Sequence, residues 1–140
     1  MMKNIVVIYT SRTGITKQFA EEIAAFLKSS GNEVNCFSDE RVDADAVNKA
    51  DAVLLGCWTH GLFFFAQHPA KPWTEMVKQL ADLRNKKTGL FVTYKLATGS
   101  MFKKMRQHLI EKTTDIRLEL KARNSILTEL HKKEIYSWLQ

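Results

Sequence analysis

This chain of 140 residues lacks the features that would place it in several specialised classes of protein. It has only two cysteines, Cys36 and Cys57, without metal-ligand spacing. We therefore expect no metal site and no disulfide framework, and a reducing cytoplasm as its location. The apolar runs are far shorter than a membrane span, and no signal-peptide pattern precedes Ile5, so we expect no membrane insertion. Repeats, low-complexity segments and linkers are also missing, which predicts a single domain over residues 1–140.

Acidic residues are scarce in the second part of the chain, so the net charge of +6 is uneven. Residues 1–83 contain 8 basic and 10 acidic residues, whereas residues 84–140 contain 13 basic and 5 acidic ones. A basic half can attract nucleic acid, an anionic membrane surface or an acidic protein, and it can equally be the solvated side of late helices. Because no recognition-helix signature accompanies this charge, nucleic-acid binding is not expected.

Five segments have the pattern of β-strands. Residues 5–9, 52–56 and 89–94 are nearly continuous apolar runs, which is typical of strands covered on both faces. Residues 32–38 and 115–123 alternate apolar and polar side chains, as half-exposed strands do. The continuous runs therefore belong at the centre of a parallel sheet and the alternating ones at its edges. Strand order 2-1-3-4-5 with right-handed crossovers satisfies this pattern.

Helical patterns fill most of the gaps between these strands, and a short turn is expected over residues 45–50. On the first helix, Ile15, Phe19, Ile23, Phe26 and Leu27 share one face. The alternation of strand and helix predicts an α/β, three-layer sandwich. In such sheets the ligand binds beyond the carboxyl ends of the strands, where the strand order reverses. That point lies between the first and third strands.

The most informative segment is the loop between the first strand and the first helix. Ser11, Thr13 and Thr16 supply hydroxyl donors there, and Gly14 lets the chain turn tightly. The first backbone N–H groups of a helix lack intrahelical partners, and the helix dipole favours negative charge, so the loop predicts a phosphate site. It is not a P-loop, because Ile15 stands where a lysine is needed, and it lacks the three glycines of the dinucleotide fingerprint.

The pattern Ser-x-Thr-Gly-x-Thr at residues 11–16, placed between an apolar strand and an amphipathic helix, resembles the phosphate loop of the flavodoxin family. In that family the loop holds the terminal phosphate of flavin mononucleotide (FMN). The resemblance implies that residues 11–16, with Arg12 and Ile15 among them, contact FMN. The resemblance covers the whole chain in strand order, and the sequence shows no sign of the insertion found in long-chain members of the family. It therefore implies a short-chain, flavodoxin-like protein that shuttles electrons on FMN.

The loop after the third strand extends the resemblance. Gly56, Thr59 and Gly61 match the family's second flavin loop, but His60 stands at its usual aromatic position. Trp58 lies two residues earlier. Either Trp58 or His60 is a candidate to flank the flavin ring, and Trp58 has the alternative of packing beneath the loop.

The loop after the fourth strand falls where the family's third flavin loop lies, with Thr93, Tyr94 and Lys95 as its candidates. Tyr94 is a second candidate neighbour of the ring. The usual Gly-Asp is replaced by Lys95 and Leu96, so this match is one of position alone.

Two other functions stay open at this stage, and no catalytic residue is assigned. One is an FMN-dependent oxidoreductase acting on a quinone or another planar substrate, with the apolar residues 62–65 lining its pocket. The other is a flavin-free interaction module that keeps the fold. For an electron carrier the implied partner is a redox protein, which should be acidic if the basic half faces the flavin. A monomer and a homodimer are both compatible with the sequence.

Overall fold

The structure is a computed structural model that describes residues 2–59, 69–95 and 98–140. Within these ranges five strands form one parallel sheet: β1 (Asn4–Thr10), β2 (Glu33–Ser38), β3 (Ala52–Trp58), β4 (Lys87–Thr93) and β5 (Ile116–Ala122). Their order is β2-β1-β3-β4-β5, with each neighbouring pair parallel. The predicted order is confirmed, and every predicted strand boundary lies within two residues of the observed one.

The helices connect successive strands. Among the described residues they are α1 (Ile15–Ser29), α2 (Ala44–Lys49), α3 (Lys71–Gln79), α4 (Met101–Leu109) and α5 (Glu129–Leu139), with one 3₁₀ turn at Asp39–Arg41. The turn predicted over residues 45–50 is wrong, because most of that segment belongs to α2. The Asp43 carboxylate accepts a hydrogen bond from the Asp45 N–H at 3.0 Å and caps the helix. Since α2 has only six residues, its sequence shows no complete helical period.

Two apolar layers hold the helices against the sheet, one on each face. Strand β1 contributes to both, because Val6 and Ile8 point to one face while Ile5 and Val7 point to the other. Helices α1 and α5 cover the second face, and α2, α3 and α4 cover the first. The predicted three-layer sandwich is confirmed. On α1, Ile15 departs from the expected buried face, since its side chain is 38% exposed at the start of the helix.

The alternation in β5 predicts that Ile116, Leu118 and Leu120 share one face of the sheet. In the structure Ile116 packs in the layer of α4, whereas Leu118 and Leu120 pack in the layer of α1 and α5. The cause is a register shift against β4, which leaves Arg117 as an extra residue. A bulge of one residue reverses the direction of the side chains that come after it, so a regular alternation along the sequence does not give a constant face.

Helix α1 lies against the centre of the sheet beside an aromatic pair. Phe91 in β4 and Phe19 in α1 meet edge to face, with ring centroids 6.0 Å apart. The Phe91 ring lies across β3 at Gly56, where an added Cβ would fall only 2.0 Å from a ring carbon. A side chain at position 56 would therefore displace this ring from beneath α1.

Candidate functional site

The loop after β1 turns back on itself through one serine. The Ser11 Oγ accepts hydrogen bonds from the backbone N–H groups of Gly14, at 3.1 Å, and Lys17, at 3.2 Å. Gly14 takes a left-handed φ of 94°, a conformation that favours glycine. Of the first three amides of α1, that of Lys17 is thus bonded, while those of Ile15 and Thr16 have no intrahelical partner. These amides and the Ser11 O–H can donate to an anion.

Thr16 has an inward position that the sequence did not indicate. Its side chain is 1% exposed, and its hydroxyl lies 2.7 Å from the hydroxyl of Thr93 at the end of β4. Thr13 and Arg12, by contrast, are exposed. Within the loop, therefore, Thr16 joins the helix to the sheet, and Ser11 and Thr13 carry the hydroxyls on the more accessible side.

The second loop meets the third loop directly. The Thr59 N–H donates to the Thr93 carbonyl at 2.8 Å, and the Tyr94 N–H donates to the Ala122 carbonyl at 3.1 Å. The Thr59 Oγ1 is buried and has no hydrogen-bond partner among the described residues. A buried hydroxyl without a partner costs free energy, so this atom is available to bond a polar group of a ligand.

Two aromatic side chains border the meeting point of the loops, and an arginine lies over each. The Arg12 guanidinium carbon is 5.4 Å from the Trp58 ring centroid, and that of Arg123 is 5.7 Å from the Tyr94 centroid. Both aromatic residues are half-buried. Trp58 also packs against the apolar layer of α2, α3 and α4, so it combines the core contact and the ring surface that the sequence left as alternatives. Lys95 is exposed beside Tyr94.

Some predicted site residues lie outside the described residues. They are His60 and Gly61, together with the apolar residues 62–65 that a substrate pocket would use. The ends of the segment around His60 are described. At one end Thr59 bonds β4, and at the other the Ala70 N–H donates to the Cys57 Sγ at 3.4 Å.

The thiols of the two cysteines are protonated at neutral pH and therefore unreactive. Burial raises the pKa of the Cys57 thiol to about 12 and that of the Cys36 thiol to about 11. The neutral thiol is a poor nucleophile and a poor metal ligand, so neither side chain is suited to catalysis at neutral pH. Both are free cysteines.

The site therefore combines three elements at the carboxyl ends of β1, β3 and β4. Helix amides with Ser11 suit a phosphate, the Trp58 and Tyr94 rings suit a flat apolar ring, and the unpartnered Thr59 hydroxyl suits a polar ring edge. This set fits FMN. A doubly wound α/β fold with such a site at its switch point defines the class of nucleotide-binding α/β proteins.

A comparison with protein families shows to which family of that class the chain belongs. A family model described as a flavodoxin domain matches residues 6–133 of the chain. The chain belongs to the flavodoxin family. It is accordingly an FMN-binding electron-transfer protein that passes electrons to redox partner proteins, as the first loop led us to expect.

Individual relatives agree with this assignment. The chain is 33% identical to the flavodoxin of Megasphaera elsdenii over 94 residues, which span 66% of each protein. It is 27% identical to the flavodoxin of Clostridium beijerinckii over 103 residues, or 74% of this chain and 73% of the relative. The solution structure of two-electron reduced M. elsdenii flavodoxin has a TM-score of 0.76 at 24% identity, covering 96% of both chains. In the described parts of the chain, no helix has the length and apolarity that crossing a membrane would require.

Proposed function

We propose that the phosphate of FMN lies in the loop of residues 11–16 and that its ring lies between Trp58 and Tyr94. The observation that carries this proposal is the Thr59 hydroxyl, which is buried without a partner among the described residues at the point where all three loops meet. The amides of Ile15 and Thr16 face the same loop as the Ser11 hydroxyl, and the Arg12 charge adds to them.

FMN supplies the redox chemistry when it is bound. The chain's own residues set the position of the ring and its surroundings. Ser11 and the helix amides anchor the phosphate, the two half-buried aromatic rings keep water from the flat faces, and the Thr59 hydroxyl bonds the polar edge. Thr93 holds the first and second loops at a constant spacing through its hydroxyl and its carbonyl.

The charge around this site also favours a particular redox behaviour. Arg12, Lys95 and Arg123 lie beside the proposed ring position, and positive charge stabilises an anionic reduced flavin relative to the neutral oxidised form. We expect a less negative potential for full reduction than in a flavodoxin whose flavin has acidic surroundings. A potentiometric titration that gives an equally negative value would contradict this expectation.

A flavin titration tests the proposed site. Purified protein should take up FMN at micromolar concentration and quench its fluorescence. Tyr94→Leu should weaken binding by about two- to tenfold, because an aromatic pair is worth about 0.5–1.5 kcal/mol. Tyr136→Leu is the matched control, since Tyr136 is 61% exposed on α5. Equal affinities for the two variants would refute a role for Tyr94.

Two further properties belong to the proposal. The chain acts in the cytoplasm, where two free and protonated thiols are stable. It acts as an electron carrier, which its membership of the flavodoxin family supports. Steady turnover of NAD(P)H with a quinone by the purified FMN-loaded protein would instead identify an oxidoreductase.

A further inference from the structure

The loops at the carboxyl ends of the strands contain an excess of positive charge. The segments that follow β1, β4 and β5, residues 11–17, 94–104 and 123–128, contain six basic residues and no acidic one. We call these six residues the basic rim: Arg12, Lys17, Lys95, Lys103, Lys104 and Arg123. Because the strands are parallel, all three segments start at the same side of the sheet, the side formed by the carboxyl ends of the strands.

Beyond the carboxyl end of β2 the charge is acidic instead, and we call this region the acidic corner. The segment after β2, residues 39–45, contains four acidic residues and Arg41 as its one basic residue. The segment after β3, residues 59–70, contains no Lys, Arg, Asp or Glu. Strand β2 is an edge strand, and β5 is the opposite edge. The segments beyond the carboxyl ends of the strands are thus acidic after β2 and basic after β1, β4 and β5.

Two arginines of the rim are held over the aromatic rings of the proposed site. Arg12 lies over Trp58 and Arg123 over Tyr94, contacts that are worth about 0.5–1 kcal/mol each at exposed sites. Among the described residues, no carboxylate lies within salt-bridge distance of Arg12, Lys17 or Arg123. Five basic residues outside the rim do have such partners among the described residues; Arg106, for example, lies 2.9 Å from Glu119.

Exposed apolar side chains lie in or next to the same segments. Ile15 is 38% exposed, Ile126 is 58% exposed and Leu130 is 65% exposed. Ile15 belongs to the segment after β1 and Ile126 to the segment after β5, and Leu130 lies in the first turn of α5. Apolar side chains interspersed with arginines are characteristic of protein interfaces.

From these observations we infer that the basic rim is the docking surface for an acidic redox protein. The inference rests on the proposed flavin position, since the rim surrounds that position. Opposite charge speeds the encounter and orients the partner, and the acidic corner over β2 excludes the reversed orientation. The partner's acidic surface would lie beside its own cofactor, so that docking brings the two redox centres together.

A pair of probes that differ mainly in charge tests this surface. Native cytochrome c is basic, and the same cytochrome with succinylated lysines is acidic. One electron passes from the reduced, FMN-loaded protein to each ferric haem. Two haems are therefore reduced per flavin, which returns to the oxidised form and releases one proton. Stopped-flow rates should be at least about tenfold higher for the succinylated probe at low salt, and this preference should disappear at about 0.3 M salt.

Charge-reversed variants locate the surface. Arg123→Glu and Lys95→Glu should each slow reduction of the succinylated probe by about fivefold or more and speed that of the native probe. Lys49→Glu is the matched control, because Lys49 is exposed at the end of α2, just before β3 begins, and so lies near the amino ends of the strands, away from the basic rim. It changes the net charge equally and should alter either rate less than about twofold.

The outcomes separate this inference from the proposed flavin site. Failure to bind FMN would refute the site itself. If FMN binds but the native probe reacts faster, or if Lys49→Glu matches Arg123→Glu, the docking surface is refuted and the flavin site stands. Binding of a duplex oligonucleotide as tightly as the succinylated cytochrome at equal salt would also overturn the inference, because it would reveal a general polyanion surface.

Discussion

The hydroxyls of Thr16 and Thr93 lie 2.7 Å apart in a buried position, although 77 positions separate them along the chain. Thr16 is in the first turn of α1, and Thr93 ends β4. The Thr93 carbonyl also accepts the Thr59 N–H at 2.8 Å. Thr93 therefore connects all three loops of the proposed flavin site, and its contacts set the distance between the first loop and the other two.

Removing one hydroxyl of this pair should destabilise the protein. Thr16→Val or Thr93→Val leaves the other hydroxyl buried without its partner, which should lower the free energy of unfolding by about 1–3 kcal/mol. The double variant should lose less than the sum of the single losses. Urea denaturation of all four proteins gives this coupling. Thr88→Val is the control, since the Thr88 hydroxyl is buried with no partner among the described residues and its removal should not destabilise. Fully additive losses would show that the pair is not coupled.

Gly14 and Gly31 allow the conformational and the ligand-binding effects of a loop glycine to be separated. Their φ values are 94° and 91°, and an added Cβ at either position meets no described atom within 4 Å. Alanine at either position should cost about 1–2 kcal/mol in unfolding free energy, because the left-handed conformation strains an L-residue. Only Gly14→Ala should also weaken FMN binding, by about tenfold or about 1.4 kcal/mol. Equal FMN affinities in the two variants would argue against a phosphate at Gly14.

Gly56 should be intolerant of any side chain. In Gly56→Ala the Cβ would lie 2.0 Å from the Phe91 ring, so we expect a loss of about 3 kcal/mol in unfolding free energy from overpacking. Phe91→Leu should also destabilise on its own, because it leaves a cavity. The Gly56→Ala, Phe91→Leu double variant should recover part of the summed loss. A double variant that is no better than additive would place the cause outside this contact.

Cys57 should make the protein sensitive to alkaline pH. Burial raises its thiol pKa to about 12, above the ordinary value of 9.0 that it regains on unfolding. The unfolded state therefore loses the proton first. The stability contribution is complete below pH 9 and is lost between pH 9 and about 12, by at most about 1.4 kcal/mol per pH unit. Cys57→Ser does not ionise in this range, so its stability should fall less steeply, as measured by urea denaturation at successive pH values. Parallel pH profiles would contradict the assignment to Cys57.

The strand order was predictable because a strand that is buried on both faces has a nearly continuous run of apolar residues. The apolar runs of β1, β3 and β4 could only be central, and the alternating β2 and β5 could only be edges. Membership of the flavodoxin family was equally predictable, because the motif that indicates it lies in six consecutive residues.

Other features were not predictable, since they depend on residues far apart in sequence. The bulge at Arg117 results from pairing with β4, and helix α2 is too short to show a period. The pairing of Arg12 with Trp58 and of Arg123 with Tyr94 depends on which loops become neighbours.

The sequence by itself determined the strand order and the family, because local pattern and burial specify them. Only the tertiary structure decided how these parts meet. Packing turned the Thr16 hydroxyl inward to Thr93, left that of Thr59 without a described partner, and gathered basic residues from three separate segments around one edge. The physical reason is that hydrogen bonds and electrostatic fields act through space, so they are set by which segments the parallel sheet brings together.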